Sequence, residues 1–291
     1  MSTATTVKEP KKRSLWLNAW VRLKRNKRAM FGLYFFFFLV VIALLAPVLF
    51  PEGYDVQIID DQYLAPSMEH PFGTDNVGRD ILARICYGAK ISLQLGLISV
   101  AISFIVGGII GSISGFYGGW VDNIIMRIMD IVQSIPNILL AIVIAATLGP
   151  GMANAMIAVG ISGVPGYARI IRGSILTVRD MEYIEAARAI TAGDGRIIMK
   201  HIIPNVLSPM IVQATMGIAG AILTAANLSF IGLGVQPPAP EWGAMISAGR
   251  NYIRDYWWMV TFPGLAIMVT VISFNLLGDG IRDALDPRMS R

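Results

Sequence analysis

Charged residues divide this chain into long apolar blocks. The first block without Asp, Glu, Lys or Arg runs from Ala29 to Pro51, and the second from Ile91 to Val121. A third, Ile131 to Ala168, is too long for one helix; Gly149-Pro150-Gly151 inside it is a turn signal that splits it in two. The fourth, His201 to Pro240, carries Pro204, Pro209, Pro237 and Pro238 towards its ends, which leaves one span. The last runs from Tyr256 to Gly278. Each is near or above the ~20 residues that cross a hydrocarbon core. The pattern predicts an all-α fold, a polytopic membrane bundle of six transmembrane helices. The first span has a longer apolar core than the ~7–15 residues of a signal peptide, and no A-x-A site follows, so it reads as uncleaved.

Composition agrees. Hydrophobic residues make up 55% and charged residues 15% of 291, with a mean hydropathy of +0.60. Ordinary soluble proteins carry about 25% charge. The net charge of +5 reflects topology rather than nucleic-acid binding, because the basic residues are unevenly placed. With the N-terminus inside, inner segments hold nineteen Lys/Arg and outer segments five. That bias favours N-in/C-in. The chain then divides into a basic inner tail (1–28), a first span with a long outer loop (29–90), a core of five spans (91–279) containing an inner loop at about 172–205, and an inner tail (280–291).

The outer loop is acidic, and its second half, Gly78 to Lys90, alternates charge with Ile81, Leu82, Ile85 and Tyr87. That pattern predicts a helix lying along the outer membrane surface. Trp242 sits in a later outer loop, and Tyr256-Trp257-Trp258 at its end read as interfacial anchors. Gly107, Gly111 and Gly115 form a small-residue stripe for close helix approach, either within the chain or against another subunit.

Several chemistries lack their residues. None of the seven lysines is followed by Ser or Thr, so there is no Gly-Lys-Ser/Thr phosphate loop. His70 and His201 fall on opposite sides of the membrane, and Cys86 is the single cysteine, so no joint metal site is expected. Gly160-Ile161-Ser162-Gly163 resembles the G-x-S-G of intramembrane serine proteases. A serine nucleophile needs a base, and His201 lies in a charged loop, so helix packing explains the segment better.

Two regions remain. Asp130, Gln133, Ser134 and Asn137 fall at i, i+3, i+4 and i+7, which on one helix is one face; with Asn227 and Asn275 they are candidates for a polar pathway or for inter-helix hydrogen bonds. The inner loop holds a helix-forming segment over 180–190 with an acidic first turn, and Asp194 can cap a second short helix ended by Pro204. Glu185, Ala186 and Ala187 make the first helix thin and charged, suited either to docking on a soluble partner or to a solvated connector. Physics alone leaves an ion-coupled carrier or channel open as well.

Glu185-Ala186-Ala187 followed by His201-Ile-Ile-Pro204-Asn205 resembles the EAA loop of permeases of ATP-binding-cassette importers. His70 to Asp80, Phe116 to Asp122, Leu228 to Pro238 and Asn275 to Pro287 are similar to the C-type permeases of dipeptide, oligopeptide and nickel importers. The resemblance implies a cell-membrane complex of bacterial or archaeal type: a second, homologous permease, two ATP-binding subunits and an extracytoplasmic substrate-binding protein. It implies no cofactor in this chain, ATP and Mg being bound by the ATPases. It assigns ATPase coupling to Glu185, Ala186 and Ala187. The family places glycine at position 191; here Thr191 stands there and Gly193 follows, which bears on the turn after the coupling helix.

Overall fold

The computed structural model describes residues 15–189 and 193–285. The helices are α1 (Leu15–Arg25), α2 (Lys27–Leu49), α3 (Ile81–Tyr117), α4 (Gly119–Gln133), α5 (Asn137–Leu148), α6 (Met152–Leu176), α7 (Glu182–Ala189), α8 (Asp194–Ile197), α9 (Ile203–Phe230), α10 (Trp242–Gly249) and α11 (Trp258–Leu285). Among the described residues there is no strand, only an isolated bridge between Thr74 and Asp80. Four helical stretches are long and apolar enough to cross a membrane: α2, α3, α9 with its lead-in, and α11. α4 and α5 meet at 85° and make a fifth if taken as one broken span. The remaining long helix, α6, has 25 residues and carries Arg169 and Arg172 near its end.

α3 corrects the surface-helix expectation. It runs for 37 residues, about 55 Å at 1.5 Å per residue, well beyond a ~30 Å hydrocarbon core. Residues 81–90 are its first turns rather than a separate helix, and Ile81, Ala83, Arg84, Cys86, Gly88 and Ala89 are buried. Asp80 starts the helix by accepting from the Ala83 amide at 2.7 Å. The alternation of charge and apolar residues there records burial beneath a folded loop, not a boundary between water and lipid.

That loop, residues 51–80, caps the ends of α3, α10 and α11. Tyr63 stacks on Tyr256 and Phe72 on Phe262, each with centroids 4.2 Å apart. The Trp258 indole donates to the Thr74 carbonyl at 3.2 Å, and the Trp242 indole to the Ile85 carbonyl at 3.1 Å. Tyr256 and Trp258 therefore hold the cap, while Trp242 ties α10 to α3; Trp257 keeps a half-exposed ring. Asp75 pairs with Arg79 at 2.7 Å. Arg84, 5% exposed, donates to the carbonyls of Tyr54 (3.1 Å) and Pro238 (3.4 Å), joining three segments far apart in the chain. Glu241 caps α10 through the Gly243 and Ala244 amides; burial pushes its carboxyl up, and the two amides oppose that shift.

α3 lies along α6, and the glycine stripe is the reason it can. A Cβ on Gly107 would sit 2.7 Å from the Tyr167 Cβ, and one on Gly111 2.4 Å from the Ala168 carbonyl oxygen. The stripe serves packing within the chain. Ser103 bridges the same pair by donating to the Gly160 carbonyl at 2.6 Å.

Candidate functional site

At the end of the bundle opposite the cap, α7 projects between α6 and α9. Its sequence has two faces. Ile184 and Ala187, one turn apart, are buried with Ile171 and Ile175 of α6 and Val206 and Met210 of α9. Glu182, Tyr183, Glu185, Ala186 and Ala189 are exposed. Glu185 and Ala186 are thus presented outward, whereas Ala187 is part of the root and offers no surface. Thr191 lies outside the described residues. Gly193 is exposed with φ −62° and ψ 146°, a conformation open to any residue, so it supplies no left-handed turn.

Beyond Gly193 the expected geometry differs. Asp194 is the first residue of α8 and makes no side-chain cap there; Gly193 occupies the cap position. Pro204 does not end a helix. The chain passes from α8 through a wide π-helical turn, Ile198–Ile202, directly into α9, with Pro204 in its first turn where a missing N–H costs least.

The turn before α4 is tied to this region. Gly118 (φ +66°) and Gly119 (φ +53°) reverse the chain, and a Cβ on Gly118 would lie 2.6 Å from Arg179 Nη1. Arg179 also donates to the Gly115 carbonyl at 3.1 Å, securing the last turn of α3. Asp122, buried on α4, accepts from the Ser114 hydroxyl and takes two bonds from the Arg172 guanidinium. Sequence reasoning passed over this cluster. Its signal was Asp122 directly after one apolar block and Arg172 shortly after another.

The elbow between α4 and α5 separates residues expected on one helix face. The helix breaks over residues 134–136, and Pro136 starts α5. Asp130 pairs with Arg169 at 2.5 Å, with side chains 53% and 47% exposed. Gln133 and Asn137 line a pocket of about 340 Å³ against Ser162, Gly163 and Gly166 of α6. Ser134 turns its hydroxyl back to the Ile131 carbonyl at 2.7 Å. A second pocket of about 660 Å³ holds Asn123, Arg127 and Asp130. Asn227 and Asn275 are exposed on α9 and α11 but line neither pocket. Ser162 donates to the Val159 carbonyl at 2.9 Å within its own helix, which suits packing and not nucleophilic chemistry.

Known proteins bear on these features. Residues 107–291 match the family described as binding-protein-dependent transport system inner membrane component, and residues 14–66 match the N-terminal TM domain of oligopeptide transport permease C. The dipeptide transport system permease protein DppC of Alkalihalophilus pseudofirmus is 49% identical over 276 residues, covering 95% of this chain and 91% of the relative. The glutathione transport system permease protein GsiD of Escherichia coli is 45% identical over 286 residues, covering 97% and 94%. In fold the chain is similar to the inward-facing MetNI methionine ABC transporter, with a TM-score of 0.57 at 20% identity over 71% of this chain and 98% of that one. The chain belongs to the family of binding-protein-dependent transport system inner membrane components.

Proposed function

We propose that this chain is the permease subunit of an ATP-driven importer of di- or oligopeptides in a bacterial-type cell membrane. It spans the bilayer six times, counting α4–α5 as one span and α6 as another, with both termini inside. It is not itself catalytic: two partner ATPases bind ATP and Mg, a second homologous permease completes the pathway, and an extracytoplasmic protein delivers cargo. The relatives named for dipeptide and glutathione transport support a short-peptide cargo.

The observation that carries the coupling role is the two-sided α7. Glu185 and Ala186 face outward, while Ile184 and Ala187 root the helix between α6 and α9. A push on the outer face is delivered to two long helices at once, because packed elements move as bodies. The polar groove along α4, α5 and α6 supports the pathway. Exposed Arg127, Asp130, Arg169, Gln133 and Asn137 are costly against lipid, so this face meets water, cargo or the second permease. The test is Glu185→Arg in the reconstituted complex. Membrane insertion stays and ATP hydrolysis stimulated by loaded binding protein falls roughly tenfold, the loss of ~1.4 kcal/mol of docking energy. Undiminished stimulation refutes the coupling role.

A further inference from the structure

α1 has a face that neither packing nor coupling uses. Ala19 and Leu23 seat it against Ala29 of α2 and Ala284 of α11. Beside that seat, Trp20 and Leu23 of α1, Ile211 of α9 and Ile281, Ala284 and Leu285 of α11 line a groove of about 200 Å³. Every wall residue is apolar. Leu17, Trp20 and Val21 are exposed next to it. Next to it the character is opposite: Lys24 Nζ lies 5.1 Å from the centre of the Trp20 ring, and Arg25, Lys27 and Arg28, which follow in the chain, are exposed as well. No Asp or Glu occurs between residues 10 and 51. On the last turns of α11, Asp279 and Asp283 are partly offset by Arg282, so the local balance stays basic.

We propose that this groove is a binding site for an anionic phospholipid of the inner leaflet. An acyl chain lies in the slot, and the phosphate meets the Lys24–Arg28 cluster. Two independent features select this occupant. The slot is walled by aliphatic side chains and one indole, which suits hydrocarbon, and Lys24 with the basic residues that follow it is complementary to a phosphate at the depth where Trp and Lys favour the interface. The site rests on the proposed inner position of the N-terminus. Ile211 belongs to α9, whose base is packed against the root of α7, so lipid here touches the helix that receives the coupling push.

The experiment uses the full complex with its partner subunits, delipidated in detergent and titrated with phosphatidylglycerol or phosphatidylcholine under native mass spectrometry. The wild type retains phosphatidylglycerol in preference. Lys24→Gln/Arg25→Gln/Lys27→Gln lowers that preference roughly fivefold per charge removed. Arg22, Arg28 and the basic residues before 14 still hold the orientation in this variant. Ile211→Trp, which fills the slot, lowers retention of both lipids. Equal retention of the two lipids by the wild type, or a preference that survives both variants, overturns the proposal. Adducts on the isolated chain that vanish in the complex give the groove to a partner subunit and also overturn it. ATP-driven uptake of a dipeptide by the same wild-type complex tests the permease reading separately, whatever the lipid result.

Discussion

Gly111→Ala is a stringent test of the α3–α6 contact. The added Cβ would stand 2.4 Å from the Ala168 carbonyl oxygen and 3.1 Å from both the Cα and the carbonyl carbon. Those are backbone atoms, so no rotamer change relieves the clash. Reaching ordinary contact at ~3.4 Å requires the two helices to part by ~1 Å, and the bonds from Ser103 to Gly160 and from Arg179 to Gly115 flank that point. Overpacking of this kind costs ~1–3 kcal/mol. Gly108→Ala is the control: its Cβ meets only Ile171 Cδ1 at 3.7 Å, and helix propensity gains up to ~1 kcal/mol. The chain supplies its own reporter, since its single cysteine, Cys86, is buried in α3. Thermal unfolding in detergent, followed by a thiol-reactive dye, is expected to show Gly111→Ala melting roughly 2–12 °C below wild type, with Gly108→Ala at or above it. Equal melting of the two variants refutes close backbone contact as the reason for the stripe.

Three further outcomes are expected. Asp122→Asn removes the charge that holds Arg172 and costs ~1–3 kcal/mol, less than for a fully buried pair because the Arg172 side chain is 30% exposed; the same dye assay reads it, and an unchanged melt shows that α4 does not need the pair. Arg84→Gln frees Tyr54 of the cap, and residue 238, from α3 at ~2 kcal/mol, so limited proteolysis within residues 51–80 speeds up while the bundle stays folded; unchanged cleavage removes Arg84 as a strut. Asn137→Leu makes the elbow pocket more apolar and lowers the rate of peptide uptake at saturating binding protein without changing stability; uptake at the wild-type rate and cargo range takes Asn137 out of the pathway.

The apolar spans were legible because membrane burial repeats one demand over about twenty residues, and charge interrupts it visibly at Arg28, Glu52 and Lys90. Local patterns with two meanings were not. Residues 78–90 alternate as a surface helix would, yet they lie beneath a cap, and Arg84, Ile85 and Tyr87 take their partners from residues 50, 54 and 238–242, which no local window contains. The i, i+3, i+4, i+7 spacing from Asp130 to Asn137 was read as one face although Pro136 stood inside it; the 85° break turns a face into the two sides of an elbow. Asp122 and Arg172 are 50 residues apart, so their pairing had no local signature. In α7 the outward Glu185 was legible from its charge. The inward Ala187 was not, because alanine suits a root and a docking face equally well.

The cap also orders events in time. The bond from Trp258 to Thr74 joins residues 184 apart, and the stacking of Tyr63 on Tyr256 spans a similar interval. As the chain emerges from the ribosome, residues 51–80 are made early and can already meet Arg84 and Tyr87 of α3, but their aromatic partners come only with the last helix. The aromatic contacts of the cap therefore form only in a chain that has reached α11. A chain cut short before residue 256 lacks Tyr256, Trp258 and Phe262, the side chains on which Tyr63, Thr74 and Phe72 rest.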